Sequence, residues 1–510
     1  MTKTALLFST ALLGLTFSTP GAVLATQPAS VVQTAETETD RINKWFDEKY
    51  EEELKFSPIE QTYIGRKTDY GLIDDFSDAG ADRQLAWLRN AVAEMKSRFD
   101  YAKLSPEAKT SYDIWSYNLK QAEAGLPFRT NRYVLHQHNG LQSFFPTFLI
   151  NTHKVETEAD MLGFIQRLSG VATALDQLLV RAQTNAAAGT RAPRFAYEGV
   201  IDQSTKIISG APFDDGEPSA IWTATEEKLQ GLVDSGAIDE ARAATLREQA
   251  RAALTSAFAP AYQRIIAWYE ADMANTDASP KGVGALPNGQ AFYNYRLANQ
   301  TTTELTADAI HNLGLSEVAR LRSDMEAVKD KVGFDGDLKA FFKYIREDDR
   351  FYFSDDDAGA DQYIAAAKAH IDAIKKLLPD YFGILPKADL EVRRVESFRE
   401  QDGAAQHYRS GTPDGSRPGI YYAHLSDMRA MPIPTLEVIA YHEGLPGHHM
   451  QISIAQELTG IPTFRTQAGY TAYSEGWGLY SETLAKEMGG YQDPYSEFGR
   501  LTSEIWRAIR

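Results

Sequence analysis

The chain has 510 residues, 43% of them hydrophobic and 24% charged, an ordinary globular usage that excludes a disordered or collagen-like polymer. Asp and Glu outnumber Lys and Arg by 70 to 52, giving a net charge of −18. No basic block offsets this locally, so no nucleic-acid partner is expected. Cysteine is absent, which excludes disulfides, thiolate metal sites, a cysteine nucleophile and a lipid anchor carried on a cysteine.

Residues 1–25 read as a signal peptide: Lys3, an apolar run from Ala5 to Phe17, and the small-residue cleavage pattern Val23-Leu24-Ala25. The expected product is exported, periplasmic or secreted. No later segment reaches the ~18 apolar residues of a spanning helix, so no stable membrane span is expected. Residues 26–39, rich in Ala, Thr, Gln and Ser, read as a flexible lead-in. Residues 40–280 form a helical region, with apolar positions three and four apart through Ala86…Met95, Tyr112…Leu119, Met161…Leu179 and Ala250…Phe258. Residues 281–510 form a second, catalytic-like region that opens with helices at Ile310…Met325 and Asp361 to Leu378. Between about 387 and 426 the periodicity shifts to alternation in Leu390 to Glu396, Gln406 to Arg409 and Gly419 to Leu425. This predicts a small antiparallel sheet, with helix resuming from Pro434. The expected fold is mainly α, with that sheet beside the helix that carries the chemistry.

Three of the ten histidines fall within eight residues, His442-Glu443-Gly-Leu-Pro-Gly-His448-His449. A histidine followed by glutamate, with further histidines a turn or two on, is a zinc-hydrolase pattern: imidazoles bind the metal and the carboxylate takes a proton from water. The usual second histidine comes four residues later, about 40° around the helix. Here His448 is six residues on, about 240° around an ideal helix, whereas His449 is seven on and only about 20° short of two turns. Pro446 withdraws a backbone donor and clashes with the turn at His442, so a bulge or kink at Pro446-Gly447 would swing His448 back. Spacing leaves both histidines open. Glu475, in Thr471-Ala-Tyr-Ser-Glu-Gly-Trp-Gly-Leu-Tyr480-Ser-Glu482, is the best third ligand. Glu482, one heptad later, is an outer partner on the same face. His424, His449 and Tyr480 are further candidates for outer support or substrate contact, and Gly419 to Leu425 is expected to offer its backbone to an extended substrate. His136, His138, His153, His311, His370 and His407 read as structural.

His442 to Gln451, together with Ser474-Glu-Gly-Trp-Gly-Leu-Tyr-x-Glu482, resembles the large bacterial family DUF885, grouped with gluzincin-type zinc metallopeptidases. Leu286 to Tyr293, Thr301 to Thr306, His311 to Val318 and Arg346 to Tyr352 match too, so the resemblance spans roughly residues 40–510. In that family tyrosine often follows the Pro-Gly-His, which favours His448 over His449. The resemblance implies one zinc ion per chain held by His442, His448 and Glu475, with Glu443 as general base and a peptide or small amide as substrate. It also implies a continuation past Arg510, so the chain is expected to be truncated. The competing reading is a non-catalytic, exported binding or scaffold protein with a structural or degenerate metal site. The sequence says nothing of oligomeric state.

Overall fold

Short polar side chains start many of the helices. Ser77, Ser105, Ser219, Asp239, Thr306, Asp337 and Asp356 each accept a backbone N–H from the first turn. Thr157 and Asp160 form a reciprocal capping box ahead of Glu158–Ala187, at 30 residues the longest of the described helices. The computed structural model describes residues 36–510, so the signal peptide and most of the 26–39 lead-in lie outside the described residues.

The stripe Met161, Phe164, Leu168, Val171, Leu175 and Leu178 recurs every three or four residues. It therefore lines one face of that long helix and packs with Phe145, Phe148, Leu246 and Tyr262 in the largest core. A second core joins Glu38–Leu54, Asp78–Arg98 and Pro106–Gly125 through Trp45, Phe46, Val92, Met95 and Trp115. Phe464, far along the chain, inserts into this second core. Residues 38–510 accordingly fold as one compact unit, and packing crosses the boundary between the two regions read from sequence.

The strands are β1 (Leu390–Arg394), β2 (His407–Arg409) and β3 (Gly419–Ala423). Their positions match the alternating segments, but the sheet is mixed, not antiparallel. The order is β1-β3-β2, with Leu390 opposite Gly419 in a parallel pair and His407 opposite Tyr422 in an antiparallel one. Residues 395–406 carry the chain past the position β3 will fill, so β3 inserts between its predecessors and runs alongside β1. Being central, β3 is buried along its whole length. Its alternation divides two environments: Tyr421 and Ala423 join the core of the motif helices, while Ile420 and Tyr422 pack with Val395 on the opposite face.

Candidate metal centre

The motif does not ride on one distorted helix. Ile433–Glu443 ends, and a new helix, His448–Glu457, begins after a four-residue linker containing a cis Leu445–Pro446 peptide. The linker needs its glycines. A Cβ on Gly447 would lie 2.0 Å from the His442 carbonyl oxygen and 2.3 Å from that of Tyr441, and one on Gly444 would lie 2.6 Å from the Ala440 oxygen. The second helix thus starts pressed against the end of the first. His442 and His448, about 240° apart on an ideal helix, come together with ring centroids at 4.6 Å.

His449 turns away. Its Nε2 lies 3.0 Å from the Ala388 carbonyl and its Nδ1 3.1 Å from the Tyr408 hydroxyl, so it ties the second helix to the sheet. Glu475 joins the other two from the helix Thr471–Glu487, with Oε2 3.5 Å from His442 Nε2 and Oε1 3.7 Å from His448 Nε2. One donor atom from each of the three residues falls within 4.8 Å of the others. These gaps exceed the 2.7–3.2 Å of an N–H···O hydrogen bond. They are close to the roughly 3.3–3.6 Å between neighbouring ligand atoms around a tetrahedral zinc with bonds of about 2.0–2.2 Å. Two imidazoles and one carboxylate are also a donor set that catalytic zinc takes. Distance and chemistry both fit the metal.

Glu482 is 1% exposed and sits behind His442, its Oε1 2.8 Å from Nδ1. With Nδ1 donating its proton there, Nε2 is the ring nitrogen turned to Glu475, and in the neutral ring it is the one that carries the lone pair. Arg507, from the helix Pro494–Ile509, holds the same Glu482 oxygen at 2.9 Å. His448 lacks such a brace: its buried Nδ1 meets no hydrogen-bond partner among the described residues, and packing fixes the ring. Gly478 lies flat against His442, where a Cβ would stand 2.6 Å from Cε1. Trp477 donates its indole N–H to the Pro446 carbonyl at 2.9 Å, so the two motifs lock together.

Burial opposes charge on His442, but Glu475 and Glu482 outweigh it and raise its pKa to about 9. Burial, with His442 adding to it, pushes His448 down to about 4. The neighbouring His442 imidazole lowers the Glu475 carboxyl, against partial desolvation. Glu443 is buried and raised to about 7, chiefly by desolvation; the His442 charge and the Tyr408 backbone amide oppose the rise and Glu475 adds to it.

The remaining candidates sit apart from this group. Tyr480 is largely exposed and packs on Trp477 at 5.9 Å. His424 belongs to the other side of the sheet, where it accepts from the Gln401 amide at 3.1 Å and lines a cavity. β3 cannot offer its backbone to a substrate, because both its edges are paired. Sequence reading passed over Arg507, Gly478 and Tyr408. Only Gly478 left a signal, a glycine within a helical stretch and one turn from Glu482.

The chain matches the family model DUF885, described as "Bacterial protein of unknown function", over residues 58–510. It belongs to that family. Among solved structures it resembles a "putative lipoprotein" from Colwellia psychrerythraea, with a TM-score of 0.82 at 24% identity, covering 93% of this chain and 82% of that one. A "putative lipoprotein of unknown function" from Shewanella oneidensis follows, with a TM-score of 0.60 at 16% identity, covering 91% and 82%. No curated protein matches the sequence. No helix among the described residues is long and apolar enough to cross a membrane.

Proposed function

We propose that this protein is an exported, gluzincin-like zinc hydrolase that cleaves peptide or other amide bonds. The observation that carries the reading is the convergence of His442 Nε2, His448 Nε2 and the Glu475 carboxylate at metal-sharing distances, with Glu443 in the adjoining helical turn. The apolar N-terminal segment supports export, as does likeness to proteins described as lipoproteins.

His442, His448 and Glu475 hold the metal, which when bound supplies a Lewis acid for the substrate carbonyl and makes water easier to deprotonate. Glu443 takes the proton of the attacking water on its carboxylate and passes it to the leaving amine nitrogen. Glu482, clamped by Arg507, keeps His442 in the tautomer that points Nε2 at the site. β2 is an edge strand, and its Tyr408 amide faces Glu443. That edge, not β3, is the backbone available to an extended substrate.

The test is metal analysis joined to one substitution. The purified protein should hold about one zinc per chain. Glu443→Gln should keep the zinc and lower turnover of a peptide library by ~10² or more. Absence of bound zinc in zinc-containing buffer, or unchanged turnover in the zinc-loaded variant, would favour the non-catalytic scaffold reading.

A further inference from the structure

On the face of β3 turned away from the metal centre, Ile420, Tyr422 and His424 line a cavity of about 300 Å³ that reaches the helix Leu141–Asn151. Its wall holds Arg399, Arg409, Arg417, His138, His407 and His424 and, among the described residues, no Asp or Glu. In a chain with 70 acidic against 52 basic residues, this is a local reversal of sign, and it collects around a concave space.

The three arginines are not equivalent. Arg399 is neutralised by Glu396 and lies over the Tyr422 ring. Arg417 is 8% exposed, donates to the Tyr63 carbonyl at 2.8 Å and lies 5.6 Å from the centre of the Tyr63 ring. Among the described residues it forms no ion pair; Glu60 and Asp414 act on it only at longer range. Arg409 stands opposite Ile420 in the sheet, at the exposed end of β2, and likewise forms no ion pair among the described residues. A buried guanidinium without an anion is costly to keep. Arg417 is such a group, and with the exposed Arg409 lining the same cavity it offers two guanidiniums to a planar anion.

The rest of the wall sets the ligand's other features. Burial and the neighbouring Arg399 hold His407 at about 3 and His424 at about 4, so both rings are neutral near pH 7 and add hydrogen-bonding atoms without adding charge. Tyr63 and Phe144, with ring centroids 6.3 Å apart, supply an apolar side that an inorganic ion would leave unused.

We propose that this cavity is a ligand site for a small organic carboxylate with an aromatic body, its carboxylate held by Arg417 and Arg409 and its ring placed against Tyr63 and Phe144. The cavity lies on the face of β3 turned away from the motif helices, with Tyr408 of the edge strand common to both sides, and the proposal stands whether or not the protein is a hydrolase.

Titration calorimetry on the whole chain tests it, with N-acetyl-L-phenylalanine and phenylacetate as probes and N-acetyl-L-phenylalaninamide and inorganic phosphate as comparisons. At least one carboxylate probe should bind once per chain, with equal affinity in chelator-treated and zinc-loaded protein, while the amide shows no binding. Arg417→Gln should weaken binding at least tenfold. Arg409→Gln, at an exposed position that leaves folding intact, should weaken it several-fold with an unchanged melting temperature. Binding of neither carboxylate, affinity unmoved by Arg409→Gln, or phosphate binding as tightly as the aromatic acids would overturn the proposal.

Discussion

In the N-terminal half of the molecule, His153 lies beside Arg167, and these two buried side chains satisfy each other and the backbone around them. Arg167 donates to His153 Nδ1 at 2.9 Å, to the Leu72 and Pro58 carbonyls and to the Thr62 hydroxyl, while His153 Nε2 meets the Asp160 carbonyl at 3.0 Å. In the C-terminal half, His442 and His448 are nearly as well buried, yet their Nε2 atoms face Glu475 across gaps of 3.5 and 3.7 Å. The first arrangement is closed, with each donor spent on an acceptor; the second keeps its ring nitrogens directed at a shared point. Burial of histidine therefore does not mark a site. What marks it is where the ring nitrogens are left to point.

The closed network should be the more expensive to open. Arg167→Met preserves bulk but strands the His153 Nδ1 and the Leu72 carbonyl in the interior and strips a donor from the Thr62 hydroxyl and the Pro58 carbonyl, which keep only their bond to each other. A loss of ~3 kcal/mol or more in chemical unfolding is expected, since each unsatisfied buried group costs ~1–3 kcal/mol. A loss below ~1 kcal/mol would show that the network is not holding the region together. Glu475→Ala in the metal-free protein should cost far less, because Glu475 is largely exposed and ends no closed network.

Acid should expose the same contrast. Burial, with the Arg167 charge adding to it, holds His153 down at about 3, while in the unfolded chain it returns to ~6.5. Between those values the unfolded state binds the extra proton. The stability tied to the neutral ring is thus complete above ~6.5 and drains away as pH falls toward 3. The melting temperature should drop steadily from pH 6.5 to 4, with a shallower slope in His153→Gln. Equal slopes in the two proteins would assign the acid sensitivity elsewhere.

Much of the open site could be read from the chain because its cues are local. His442-Glu443, the helix-breaking Pro446-Gly447 and Glu475 lie within two short segments, and proline and glycine chemistry dictates the break whatever the rest of the molecule does. Helix positions were legible for the same reason. The parallel pairing of β1 with β3 was not, since strand alternation is identical in either direction and the path of residues 395–406 decides it. Arg507 was hidden for a similar reason. It reaches Glu482 only because its helix packs backbone to backbone on Ile433–Glu443, where a Cβ on Gly499 would lie 1.8 Å from the Pro434 oxygen. His424 could have been placed on the far face by counting along β3 from Tyr421, an alternation that was in view.

Opening the brace behind His442 is expected to act on the metal more than on the fold. Glu482→Gln keeps the shape and one acceptor but removes the charge that holds both the Nδ1 proton and Arg507. Zinc affinity, measured by competition with a chromophoric chelator, should fall 10–100-fold, the usual weight of an outer partner. An unchanged affinity would reduce Glu482 and Arg507 to a structural ion pair.

The smallest expected effect is the most discriminating, because it sets two consequences of one methyl group against each other. Gly478 lies inside Thr471–Glu487 with the His442 ring against it, so an alanine there would bring Cβ within 2.6–3.0 Å of three ring atoms. The ring must shift, and its Nε2 moves off the point it shares with His448 and Glu475. Alanine is also a better helix residue than glycine by up to ~1 kcal/mol. Gly478→Ala should therefore leave metal-free stability nearly unchanged while weakening zinc by about fivefold, ~1 kcal/mol. Gly476→Ala is the control: it lies in the same helix, and its Cβ would meet no atom of the described residues within 4 Å. It should gain the helix stability and keep the zinc. Equal zinc affinities in the two variants would mean that the position of the His442 ring does not govern metal binding, and that the open arrangement is open by accident.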